Sequence, residues 1–329
     1  MARACFRMTS TEKIILAGDI GGTNARFGCL SRNSNKGWTV DNFKKFKASD
    51  YPSFEAVLEA YLSEITTKPI QAALAAAGPI EDGYINLTNT DWQISATRIK
   101  EVHGFDRCKL FNDFVGMTRS IPELTDEDFM TIRNGKAREN EPILVAGPGT
   151  GFGVGYLIPT HKGWYVMPTE GGHIAYSPQS SLEMDVLQTL GRDRDFVSLE
   201  LVASGSGLPI VHKAVCDTHG KPYKKLNPAQ LRVLAEAGDP IAVDVCNIRA
   251  CATMGAIGDL ALSGGARGGI VLAGGVSERM INFFQQPLAM SRYLHRGTRS
   301  DYVRDIPIRL LKSDLAPLIG AAASLEDHR

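Results

Sequence analysis

The chain has 329 residues, 43% of them hydrophobic, with Lys+Arg and Asp+Glu both at 36 and a formal net charge of zero. That length sets a prior of about two domains, and the balanced charge offers no basic field for nucleic acid and no polybasic segment for a membrane surface. The apolar stretches read as strand-sized, short of the ~20 residues a spanning helix needs.

The 6 cysteines show no C-x-x-C pair and no regular spacing, which argues against structural zinc and a disulfide framework and for a reducing, cytoplasmic setting. The opening MARACFRMTSTEK (1–13) lacks the apolar core of a secretory signal and is short for a transit peptide, so it reads as a tail. Next comes IILAGDIGGTNARFGCL (Ile14–Leu30), β-prone residues running into glycine turn chemistry and out again. That order predicts a hairpin whose tip exposes backbone N–H groups, a natural phosphate cradle.

Apolar residues at helical spacing predict a helix over Ser53–Ile65. Gln71–Ile80 reads as a strand entering a Gly78-Pro79 loop, and Ile85–Asn89 as a short strand. Ser95 can cap a helix that Gly104 stops, and Lys109–Phe114 is a strand ending at Asn112-Asp113. Pro122–Pro142 is charged, polar and without apolar period, so a domain junction is expected there. A second glycine hairpin follows in ILVAGPGTGFGVGYLI (Ile143–Ile158), then a strand near Trp164–Met167.

Helices are expected at Leu182–Leu190, Ser198–Ala203, Pro209–Asp217 and Pro228–Ala237. A long one over Pro240–Leu262 carries a small-residue stripe. Gly269–Ala273 is a buried strand turned by Gly274-Gly275 into another helix; Ile306–Leu311 and Ala316–Leu325 close the chain. Alternating strands and helices argue an α/β fold with partly parallel sheets. Asp19, Asn112-Asp113, Gly149-Thr150 and Gly274-Gly275 all sit at carboxyl ends of strands, where such folds bind ligands.

No Walker A loop, dinucleotide fingerprint, serine elbow or H-E-x-x-H helix is present. Glycine-lined phosphate binding plus carboxylates remains, and that suits phosphoryl transfer, which asks for positioning, charge neutralisation and one base.

Taken in order, DIGGTNAR (Asp19–Arg26), FNDF (Phe111–Phe114), GPGTGFGVG (Gly147–Gly155), EGGH (Glu170–His173) and LAGGV (Leu272–Val276) resemble the bacterial-type glucokinases. The likeness runs from about Ile14 to Leu325. It implies the two-domain actin-like ATPase fold of hexokinase type, ribonuclease H-like, with a cleft between domains. The expected domains are 14–122 plus 310–329, and 123–309.

The resemblance also implies roles, residue by residue. Asp19 would face Mg²⁺ and the phosphates, with Gly21, Gly22, Thr23 and Asn24 around the terminal phosphate. Gly149, Thr150 and Gly151 would form the second phosphate loop, and Gly274 and Gly275 the adenosine side of ATP. Asp113 would be the general base, with Asn89, Asn112, Asp113, Glu170, His173 and Glu200 binding glucose. A homodimer is expected on the same ground.

Local alternatives stand beside these roles. Asp before Gly-Gly caps turns, Asn112-Asp113 can cap a helix, and Glu200 can be a solvated helix face. Where cysteine-rich zinc motifs occur in the related repressor–kinase sugar proteins, this chain reads AYSPQSSLEMD, so metal beyond Mg²⁺ is not implied. Pro148 is expected to remove one donor from the second loop.

Two other readings use the same fold. A sugar-sensing regulator would need a DNA-reading segment ahead of the first strand, for which about a dozen residues leave no room. An actin-like assembling ATPase would not need the polyol-binding residues. Another hexose, an N-acylhexosamine or a different phosphate donor also remains open.

Overall fold

The computed structural model describes residues 13–33, 37–87 and 90–327. Internal contacts divide the chain into two compact units: unit one runs to Leu124 and resumes at Asp314, and unit two is Thr125–Ser313.

Unit one opens with β1 (Ile15–Ile20) and β2 (Asn24–Asn33), an antiparallel hairpin that sets Asp19 opposite Arg26 and Ile20 opposite Ala25. β3 (Gly37–Lys47) is an edge strand, and its lysines blunt the free edge. α1 (Phe54–Ser63) buries Phe54, Val57, Leu58 and Tyr61 at helical spacing, each burial stabilising by about 1.5–3 kcal/mol. Its start is fixed by Ser53, whose side chain accepts from Ala56 N–H.

β4 (Gln71–Ala76) pairs parallel with β1. It ends short of the expected Ile80 because its neighbour β1 ends opposite it, Ile20 facing Ala76. Three short strands follow as a separate small sheet, β5 (Ile80–Glu81), β6 (Tyr84–Asn86) and β7 (Gln93–Ser95). α2 (Ala96–His103) begins at a Ser95 cap and is stopped by Gly104 at φ 68°, a left-handed position that suits glycine. β8 (Arg107–Asn112) completes the main sheet, in the order β3-β2-β1-β4-β8, and runs directly into α3 (Asp113–Ser120).

Unit two begins with a difference from the sequence reading: the stretch expected to be loose contains a strand, β9 (Phe129–Arg133). Its few apolar residues are enough because it is only an edge. The second glycine hairpin is β10 (Ile143–Pro148) and β11 (Phe152–Thr160), extended by β12 (Gly163–Thr169). Helices α4 (Ser181–Leu190), α5 (Leu199–Ala203), α6 (Leu208–Thr218), α7 (Pro228–Glu236) and α8 (Pro240–Ser263) follow.

α8 corrects another expectation, that all apolar stretches are strand-sized. It is long and apolar enough to cross a membrane, but 78% of its apolar window is buried inside the protein, where its small residues let neighbours approach. Then come β13 (Gly269–Leu272), α9 (Gly275–Phe284), α10 (Pro287–Leu294), α11 (Ser300–Arg304) and β14 (Ile308–Leu311). The sheet order is β12-β11-β10-β13-β14-β9, with β10, β13 and β14 parallel.

The chain returns to unit one as α12 (Ala316–Asp327), which packs on β1, β4 and α3. A Cβ on Gly320 would run into the Gly116 carbonyl, so α3 and α12 meet backbone to backbone. That contact fixes the direction of α3, and with it the residue at its first turn.

Candidate active site

Asp19 is the last charged residue of β1 before the turn, only 15% of its side chain exposed, and its Oδ2 accepts from Arg26 Nη1 at 2.8 Å. Burial pushes its carboxyl up from the ordinary range, against the pull of Arg26. The turn closes with Gly21 N–H donating to Asn24 O, while Thr23 O accepts from Ala48 N–H. The N–H groups of Gly22 and Thr23 find no acceptor among the described residues. Two donors are thus left beside a carboxylate at a strand end.

Along the same sheet edge, Ile20, Ala76 and Asn112 share one level across β1, β4 and β8. Asn112 caps α3, its Oδ1 accepting from Phe114 and Val115 N–H while its Nδ2 donates to Gly78 O. The capping alternative is therefore real for Asn112. Asp113 is the first residue of α3 and partly buried, with Oδ1 accepting from Phe114 N–H at 2.9 Å. Burial first, then the negative charge of Asp19, push its carboxyl up; the backbone N–H groups pull the other way. A carboxylate whose proton affinity is raised by its surroundings has what a general base needs. Asn89 lies outside the described residues.

In unit two the turn is Gly149–Gly151, with Gly149 N–H donating to Gly151 O and the N–H groups of Thr150 and Gly151 finding no acceptor among the described residues. Pro148 is the last residue of β10, paired with Phe152, so it removes no donor from the turn as the sequence had suggested. Gly147 has to be glycine, because a Cβ there would run into the Ala273 carbonyl. Gly274 holds φ 89°, and a Cβ on it would sit 2.9 Å from Pro148 O; with Gly275 it opens α9 directly against this turn.

Glu200, on α5, is not a solvated helix face. Its Oε2 accepts from Phe152 N–H at 2.7 Å, tying it to the second hairpin, while Oε1 has no partner among the described residues. Glu170 and His173 stand 91% and 60% exposed, 3.9 Å apart, on the turn after β12. The glycines between them serve packing: a Cβ on Gly171 would press Val154 and one on Gly172 the Phe152 carbonyl. That close approach to β11 brings Glu170 and His173 to the hairpin that Glu200 also touches.

The expected residues therefore gather as two sets. Asp19, Gly21, Gly22, Thr23, Asn24, Asn112 and Asp113 share the sheet edge of unit one. Gly149, Thr150, Gly151, Glu170, His173, Glu200, Gly274 and Gly275 surround the second hairpin in unit two. The sequence signal for Arg26 is its place in the DIGGTNAR motif, where four residues between the paired Ile20 and Ala25 set it opposite Asp19.

Mg²⁺ keeps most of its water and takes one or two carboxylates plus phosphate oxygens. The donor set fits that habit: Asp19 offers one carboxylate, and among the described residues no group of three or more His, Cys, Asp or Glu could hold a metal alone.

Two sheets that repeat one five-strand order, each with a glycine-tipped hairpin joining its antiparallel and parallel halves and the second carrying β9 as an added edge, define the hexokinase-type class of the actin-like ATPase fold. A glucokinase family model matches residues 16–328. The glucokinase of Caulobacter sp. strain K31 is 35% identical over 315 residues, covering 94% of both chains. A crystal structure of glucokinase from an Antarctic psychrotroph superposes at TM-score 0.87 with 35% identity, covering 96% of this chain and 99% of that one.

The fold persists at lower identity. A Balamuthia mandrillaris glucokinase solved with glucose is 21% identical at TM-score 0.78, covering 97% of this chain and 95% of that one. A ROK family glucokinase from Streptomyces griseus, solved with glucose and AMPPNP, is 18% identical at 0.62, covering 95% and 98%. The chain belongs to the glucokinase family of sugar kinases, and it is an enzyme.

Proposed function

We propose that the protein transfers the γ-phosphoryl group of ATP to the 6-hydroxyl of glucose. The observation that supports this most is Asp113, a carboxylate of raised proton affinity one residue past a strand end, beside Asp19 and the free N–H groups of the first turn. A sugar hydroxyl is a poor nucleophile, and a carboxylate within hydrogen-bond reach takes its proton as the bond to phosphorus forms. In the step, O6–P forms, the β–γ bridging P–O bond breaks, the O6 proton passes to Asp113, and ADP leaves with the electron pair.

The other roles follow the chemistry of each side chain. Glu170, His173 and Glu200 are acceptors for adjacent hydroxyls, and Asn112 and Asn89 are sugar-side amides. Because its Oδ1 is committed to the cap, Asn112 meets sugar through Nδ2, whose second N–H is not used by the bond to Gly78 O. Gly22, Thr23, Thr150 and Gly151 present N–H groups to phosphate oxygens. Asp19 would hold Mg²⁺, which would supply neutralisation of phosphate charge when bound. Gly274 and Gly275 keep the adenosine side free of side chains. We take the two compact units as the two domains, and the protein as a cytoplasmic homodimer.

A coupled ADP-release assay over a panel of hexoses and donors tests the reading. Sugar-dependent ADP release, highest with glucose and ATP, is expected. ADP release at the same rate with and without sugar would falsify it, and release driven only by another hexose, an N-acylhexosamine or polyphosphate would move the substrate assignment.

A further inference from the structure

Within α8 the run from Val245 to Gly258 carries a single charged side chain, Arg249, which is only 5% exposed. Burial lowers its proton affinity, to about 10, and no carboxylate pairs with it among the described residues. Its bonds go to two carbonyls instead: Nη2 donates to Ala203 O at 3.0 Å and Ser204 O at 2.8 Å. A charge buried against neutral partners is costly, so a guanidinium kept there calls for a reason in what it holds.

Those carbonyls end α5 and begin the segment that grips the second glycine turn. Gly205 N–H donates to Gly149 O at 2.8 Å and Ser206 N–H to Thr150 O at 3.2 Å. Ser204 Oγ accepts from Gly207 N–H and meets Ser206 Oγ at 3.0 Å, so the segment is braced from within. At the other end of α5, Glu200 takes Phe152 N–H. Every residue of Gly149–Phe152 except Gly151 is thus bonded to α5 or its tail, and a Cβ on Gly151 would come within 2.6 Å of Glu200.

We propose that Arg249 is a positioning residue for nucleotide phosphate: it locks the 203–206 segment, and that segment holds the Gly149–Gly151 turn with the Thr150 and Gly151 N–H groups free and outward. The inference rests on the proposed function, since it takes that turn to meet phosphate. No motif marks Arg249, because its effect passes through two backbone carbonyls to a turn about a hundred residues earlier in the chain.

The test is ADP binding by calorimetry, with glucose binding and thermal melting on the same samples. Arg249→Met is expected to weaken ADP binding about tenfold and to leave glucose binding within about twofold, as lost positioning at one ligand alone requires. Arg249→Lys, which keeps the charge and can reach a carbonyl, recovers part of the loss. Hydrogen exchange at the Thr150 and Gly151 amides should be unchanged, whereas Phe152 and Ser206 exchange faster.

Should Arg249→Met misfold, Gly205→Ala carries the test from the other side, because its Cβ would sit 2.9 Å from Gly149 O. It should weaken ADP binding in the same way. A folded Arg249→Met or Gly205→Ala protein that melts lower but binds ADP as wild type does assigns the contact to stability alone and overturns the proposal. A wild-type chain that fails to bind ADP overturns the proposed function as well.

Discussion

The two glycine hairpins share a frame and differ in charge. Between the last cross-strand pairs lie four residues in the first (21–24) and three in the second (149–151), and one internal bond pins each turn, Gly21 N–H to Asn24 O in the first and Gly149 N–H to Gly151 O in the second. In each, the inner strand runs parallel to its next neighbour. Two positions before the turn, the first hairpin has Asp19 paired with Arg26, whereas the second has Gly147 opposite Gly153. Asp19 has room beside Ala75, but the second hairpin lies so close to the Ala273 carbonyl that no Cβ fits at Gly147. The second frame takes its acid from outside, through Glu200 on α5. One hairpin is thus equipped to organise charge, and the other to hold a bare backbone surface in place.

If that division is right, removing acids beside the first hairpin costs turnover, and changes at the second cost grip. The largest effect belongs to Asp113→Asn, expected to lower kcat by roughly 10²–10⁴-fold while glucose affinity measured by calorimetry changes little. Near-normal turnover removes Asp113 from the base role. Asp19→Asn comes next, at about 10²-fold in kcat, because it strips one fixed charge from the phosphate end. A loss confined to KM for nucleotide would erase the distinction between the hairpins.

At the second hairpin the expected losses are smaller and of another kind. Gly147→Ala should destabilise by about 1–3 kcal/mol through overpacking against Ala273, seen as a lower melting midpoint. Gly149→Ala, where a Cβ meets nothing within 4 Å, should leave the midpoint unchanged. Equal midpoints for the two variants would refute the close-packing account of Gly147. Thr150→Val should raise KM for nucleotide several-fold, about 1 kcal/mol, with kcat nearly intact.

The hairpins were legible because turn chemistry is local: a few β-prone residues, then Gly-Gly-Thr or Gly-Thr-Gly, fix the geometry within one short segment. Ser95 and Gly104 around α2 were legible for the same reason. β3 and β9 were not, since edge strands need little apolar period and β3 is mostly exposed. Asn112 showed both of its possible uses in sequence, and only the backbone revealed that its oxygen is committed to the cap. Contacts made at long range left no pattern to read. Arg249 reaches Ala203 and Ser204, and Arg292 reaches Glu183 at 3.3 Å, across separations that no spacing rule covers. The family likeness supplied roles for Glu170, His173 and Glu200, but not the reason for Gly171 and Gly172, which is the proximity of β11.

The smallest effect is a shift of pH profile, and it tests the first hairpin alone. Asp113 must be ionised to act as base, and its carboxyl lies above the ordinary range through burial and then through the charge of Asp19. Activity therefore falls as pH drops through that raised value. Asp19→Asn removes the like charge, so the acid limb of kcat/KM should move to lower pH but stay above the ordinary carboxylate range, because burial, the larger cause, remains. Stability has the opposite sign. The folded state binds the Asp113 proton more tightly than the unfolded chain, so ionising it at neutral pH weakens the fold. Asp113→Asn should accordingly melt higher than wild type at pH 7, with the gap closing as pH falls from the raised value through the ordinary carboxylate range. An acid limb that stays put in Asp19→Asn would mean that the two carboxylates do not sense each other, and the first hairpin would lose its claim to set the charge at the base.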